Sequence, residues 1–141
     1  MSAQLGIVEL GDVCAAMRAH SLELFAQLGA WVTTTAPGEL QRLFAEACHR
    51  HAWHAELWEL RTPAIPRERA PSTPPPERSE VEGDEIRRER YRAELSTLED
   101  ELRGLRTRID PALDPSTART IDLVGRDVVE IAAHLDALRT R

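Results

Sequence analysis

Three of the chain's five histidines sit within six residues of one another, in the run Glu46-Ala47-Cys48-His49-Arg50-His51-Ala52-Trp53-His54-Ala55-Glu56-Leu57-Trp58. At about 100° of rotation per residue, His51 and His54 fall inside the apolar stripe made by Leu40, Phe44, Ala47 and Trp58. An imidazole facing a core needs a partner, because an unsatisfied buried polar group costs roughly 1–3 kcal/mol. That partner is a hydrogen-bonding side chain, a metal ion or a ligand.

The spacing allows two readings. Cys48, His51 and His54 follow at i, i+3 and i+6, and His20 on the preceding helix can face them. Imidazole and thiolate suit zinc or copper, so His20, Cys48, His51 and His54 form a candidate metal set for Zn, Fe or Cu. The same spacing spreads the three over about 120° of the helix surface, which is wide for one ion. The simpler expectation is that His51 and His54 are hydrogen-bonded at the edge of a core and hold no metal. Glu46-x-x-His49 has the letters of a ligand pair but points away from the stripe. Further along, Asp127, Glu130 and His134 share a shoulder of one helix, with Glu130 and His134 paired at i, i+4. No catalytic residue is assigned. The sequence holds no Gly-rich phosphate loop, no Gly-x-Ser-x-Gly and no Cys-x-x-Cys.

The elements that position these residues are helices. Leu10, Val13, Met17, Leu24, Leu28 and Trp31, spaced by threes and fours, predict a first helix over about 8–32, with His20 at its edge. Thr33-Thr34-Thr35-Ala36-Pro37 breaks it, and Pro37 suits the first position of a second helix over 37–60. Residues 62–80 contain Pro63, Pro66, Pro71, Pro74, Pro75 and Pro76 among charged and small residues and are expected to be an extended connection. Tyr91, Leu95, Leu98, Leu102, Leu105 and Ile109 form a heptad seam in a third helix over about 82–109. Asp114-Pro115-Ser116-Thr117 starts a fourth helix, over 115–139, whose stripe is Ile121, Val124, Val128, Ile131, Leu135 and Leu138. Four helices with one seam each pack most simply as a single-domain, all-α four-helix bundle: two antiparallel hairpins joined by the Pro-rich connection. Whether that connection crosses the length of the bundle or returns the short way is open.

Composition bounds the partners. With 141 residues the chain is long enough for one core, and all 18 of its basic residues are arginine, a bias of GC-rich bacterial coding DNA. A net charge of −6 argues against a nucleic-acid partner. No window approaches a membrane span and the first residues lack the pattern of a signal peptide. Cys14 and Cys48 lie on different helices and make no disulfide framework, which points to the cytoplasm. A second apolar strip of Trp53, Leu57 and Leu60, and another of Cys14, Phe25 and Val32, suggest a homodimer through the first hairpin.

Two hairpins with a long central connection resemble the ferritin-like superfamily. The run from His51 to Trp58 resembles that family's second helix, with His51-x-x-His54 where the family has Glu-x-x-His. The stretch from Asp114-Pro115-Ser116-Thr117 to Leu123-Val124-x-x-Asp127 resembles its last helix, where an Asp-Glu-x-x-His run supplies a carboxylate and an imidazole. Aligning Asp127 with the family's Asp puts Val128 at the bridging carboxylate and Ile131 at the histidine. The third helix offers only Tyr91 and leucines on its seam, with Glu94 and Glu101 a quarter-turn or more away. The resemblance therefore implies a bundle that has lost di-iron oxidative chemistry and binds an unidentified protein or small molecule. The alternative is a metal-dependent oxidoreductase or metal-binding protein built on the histidine cluster. A third reading is a coiled-coil adaptor whose hairpins do not close on each other.

Overall fold

A computed structural model describes residues 4–64 and 83–139. It contains four helices and, among the described residues, no strand: α1 (Ile7–Val32), α2 (Glu39–Arg61), α3 (Asp84–Arg106) and α4 (Pro115–Arg139). Helix α1 packs along α2, α3 along α4, and α2 along α4. One core joins all four, with Leu24, Leu28 and Trp31 of α1, Phe44 and Trp58 of α2, Tyr91, Leu95 and Leu98 of α3, and Val124, Val128 and Leu135 of α4. The coiled-coil adaptor with open hairpins is thereby corrected: the apolar stripes close on one another because each is too wide to leave in water.

The helix ends explain where the sequence reading slips. Helix α2 begins at Glu39, not Pro37, because Gly38 takes φ 156°, a value that L side chains rarely adopt, and its carbonyl accepts the N–H of Arg42. Helix α3 stops at Arg106 although its seam continues to the buried Ile109. Thr107 donates its hydroxyl to the Gly104 carbonyl at 2.7 Å, and Pro111 brings no N–H to extend the ladder. Asp114 caps α4 as its position predicts, accepting the Thr117 N–H at 3.1 Å. Beyond Ala64, most of the Pro-rich segment expected over 62–80 lies outside the described residues, as do the first residues expected of the third helix.

Contacts between the ends tie the helices together. In the turn after α1, the hydroxyls of Thr34 and Thr35 accept from Arg87 at 2.8 and 3.3 Å, and the Ala36 N–H donates to Asp84 at 3.3 Å. Arg87 is buried and its guanidinium lies over the Trp31 ring, 5.7 Å from the centroid. At the start of α1, Leu5 donates its N–H to the Arg108 carbonyl at 3.2 Å, and Arg108 pairs with Glu9 at 2.9 Å. Cys14, expected in an outward strip of α1, is fully buried in the core, so that strip is reduced to the half-exposed Phe25 and the partly buried Val32. No helix among the described residues is long and apolar enough to cross a membrane.

Candidate functional site

His51 and His54 have no solvent exposure, and each spends one ring nitrogen on a neighbouring helix. Nε2 of His51 and the hydroxyl of Tyr91, on α3, lie 2.7 Å apart and share one hydrogen bond. Nε2 of His54 lies 2.8 Å from Oδ2 of Asp127, on α4. An ionised carboxylate only accepts, so His54 carries its proton on Nε2 and donates it to Asp127. Both Nδ1 atoms remain buried and unpartnered. The two rings meet edge to face, 5.5 Å between centroids.

Around this pair the polarity rises toward the surface on one side. Asp127 also faces Arg50 at 3.7 Å, and Arg50 reaches Glu130 at 3.3 Å. On the other side, His20 of α1 and Glu94 of α3 are half-buried neighbours, close enough for the imidazole to act on the carboxyl's ionisation. One Glu94 oxygen has no partner. Every helix therefore gives this middle layer at least one polar side chain: His20 from α1, His51 and His54 from α2, Tyr91 and Glu94 from α3, Asp127 from α4.

Burial sets the ionisation of the layer. Desolvation, helped by the neighbouring His54 and His20, pushes His51 down to about 3. His54 is also lowered by desolvation, but the hydrogen bond and charge of Asp127 pull against it. The Tyr91 hydroxyl is raised well above its ordinary value, chiefly by burial, and Glu94 is raised for the same reason. At neutral pH His51 and Tyr91 are therefore uncharged, and the His54–Asp127 hydrogen bond joins them to Arg50 and Glu130.

Cys48 is turned elsewhere. Its thiol donates to the Phe25 carbonyl of α1 at 3.3 Å and is raised by burial. Among the described residues no group of three or more His, Cys, Asp or Glu side chains is arranged to hold a metal ion. A di-iron centre fares no better: Val128 and Ile131, at the two ligand positions of α4 that the ferritin-like alignment defines, are core residues. The residues present do not fit such a centre. The shoulder of Asp127, Glu130 and His134 also divides otherwise than expected. Glu130 pairs with Arg50 and not with His134, which lines a surface cleft between the start of α2 and the end of α4.

No protein-family model, no curated protein and no solved structure matches the chain. Function has to be read from the side chains.

Two partners in the layer carry little signal of that role along the chain. Tyr91 was legible only as a seam residue, because its ring fills an a/d position and nothing along the chain says that its hydroxyl meets a histidine. Asp127 carried a clearer signal: it lies one helical step from the α4 stripe, where a carboxylate can serve a buried donor on an adjacent helix.

Proposed function

We propose that the protein is a ferritin-like helical bundle without di-iron oxidative chemistry that works by binding a partner, with a second copy of itself docked through the first hairpin. The observation that carries this reading is that both histidines of the middle layer are engaged by side chains of neighbouring helices. His51 is bonded to Tyr91 and His54 to Asp127, while Val128 and Ile131 are packed as core. Each histidine keeps one buried, unpartnered Nδ1, but its Nε2 is tied to a neighbouring helix, which serves the packing of the bundle and leaves binding to its surface. The ferritin-like arrangement draws support from the ends: the turn before α2 meets the start of α3, and the residues preceding α1 meet those following α3. Such end contacts support parallel α2 and α3, with Arg61 and Asp84 toward opposite ends. The docking face draws support from Phe25, 41% exposed, Trp53, 44%, and Leu60, 70%.

Elemental analysis of the purified protein tests the first part. The expected result is no stoichiometric Fe, Mn, Zn or Cu, with a melting temperature that added metal leaves unchanged, since a ligand stabilises only by binding the native state. About one equivalent of tightly held metal, lost in His54→Ala, would overturn it in favour of a metal-binding protein. Light scattering tests the second part: a dimer that Phe25→Glu or Trp53→Glu converts to monomer supports the docking face, and a monomer at all concentrations removes it.

A further inference from the structure

Along α4 lies positive charge without a partner among the described residues. A cleft of about 440 Å³ opens there, between the start of α4 and the α3–α4 turn. Three guanidiniums line it, those of Arg106, Arg119 and Arg126, with Asp122 as the one carboxylate. Arg106 is committed: its Nε pairs with Asp122 at 3.1 Å and its Nη1 donates to the Ile109 carbonyl at 3.3 Å. Arg119 and Arg126 are exposed, and neither has a hydrogen-bond or ion-pair partner among the described residues.

Their spacing gives the pair a shape. Residues at i and i+7 share one helix face and stand about 10.5 Å apart along the axis. The lining also includes the apolar side chains of Pro111 and Leu123. With three cations against one anion, the cleft is locally positive on a chain of net charge −6. A guanidinium offers five N–H donors in a fork that matches the paired oxygens of a phosphate or carboxylate. Two such forks, unpartnered among the described residues and lining one cleft with apolar side chains, suit a small molecule with an oxyanion head and an apolar body.

We propose that this cleft is a binding site for a small organic anion, held by Arg119 and Arg126 through its phosphate or carboxylate and by Pro111 and Leu123 through its apolar part. The site shares no side chain with the histidine layer or the docking face, so it stands or falls apart from the function proposed above. Phosphate and carboxylate share this chemistry, and the test separates them.

The experiment is an NMR titration of the full chain with phenyl phosphate, phenylacetate and inorganic phosphate, at low salt and again at 0.15 M, where the Debye length is about 8 Å. Saturable shifts confined to residues around 106, 119 and 126 are expected, tighter for one aromatic anion than for inorganic phosphate, with the tighter aromatic naming the head group. Arg119→Ala/Arg126→Ala should weaken that binding by about tenfold or more, as the loss of charge-assisted hydrogen bonds demands. Arg119→Gln/Arg126→Gln, which keeps a polar side chain but removes the charge, should weaken it as much. Arg18→Ala/Arg103→Ala, an equal change of charge elsewhere on the surface, should leave it intact. Shifts that never saturate, affinity unchanged in the Arg119/Arg126 variants, or an equal loss in the Arg18/Arg103 control would each overturn the proposal.

Discussion

Helices α2 and α3 both bury a full stripe, but they fill it with different chemistry. Helix α3 presents Leu95, Leu98, Leu102 and Leu105, whose burial is favourable against any apolar neighbour. Helix α2 presents Phe44 and Trp58 with His51 and His54 between them, and each histidine is comfortable only opposite one group, Tyr91 or Asp127. A leucine seam tolerates small slips along its axis; a hydrogen bond of 2.7 or 2.8 Å does not. The contrast assigns stability to α3 and register to α2.

Breaking the seam should have the largest effect. Leu98→Ala removes a buried side chain from the middle of the α3 stripe and should cost about 2–5 kcal/mol, read as a lower urea midpoint at unchanged slope. Near-normal stability would mean that α3 is held by something other than its leucines. Breaking a partner on the α2 side should cost less. Tyr91→Phe keeps the ring and its edge contact with Phe44 but leaves His51 unbonded, at about 1–3 kcal/mol. Asp127→Ala should fall in the same range. In His51→Leu the further change Tyr91→Phe should be close to neutral; a double-mutant cycle without coupling would show that the two rings only pack.

This contrast explains what the sequence could and could not disclose. Helical periodicity located the α3 seam residue by residue, since an apolar side chain needs only a side of the helix. The same periodicity put His51 and His54 in the α2 stripe, yet their partners lie 40 and 73 positions away along the chain. No local pattern encodes that meeting. Cys14 shows the converse: a small packing residue that also groups with Phe25 and Val32 in a second strip, it belongs to the core, because Gly11, also buried, and Ser21 continue a core face wider than the large apolar residues alone trace. Arg119 and Arg126, without a partner among the described residues, are equally hidden, for composition counts charges without saying which are paired.

Acid should next separate the two histidines. Both have folded values below their unfolded one near 6.5, so the stability that depends on their neutrality is present above about pH 6.5 and is lost as the pH falls. For His51 the loss should continue to about pH 3, with a slope of about 1.4 kcal/mol per pH unit while it remains neutral in the fold. Glu94 works the other way: its raised folded value favours the folded state at low pH and loses that contribution as the pH rises. The expected net result is acid destabilisation beginning near pH 6, measured by urea unfolding across pH 3–8. His51→Leu should flatten it; an unchanged acid limb in that variant would place the titrating group elsewhere.

The smallest expected effect in energy is the sharpest test of the difference between the two rings. Arg50 sits at the exposed rim, 3.7 Å from Asp127 and 3.3 Å from Glu130, and ion pairs of this kind contribute about 0–1 kcal/mol. Arg50→Ala should therefore leave the urea midpoint almost where it was. Its charge nevertheless opposes protonation of His54, while it is absent from the causes that lower His51. Removing it should let His54 hold its proton at higher pH and leave His51 where it is, a divergence that NMR titration of the two imidazoles reads directly. If both rings shift together, the layer titrates as one unit and the division into a dry inner histidine and a rim-coupled outer one fails. If only His54 moves, the same helix carries two histidines three residues apart, both without solvent exposure, in different electrostatic environments. Helix α3 would then supply the dry neighbour and α4 the charged one.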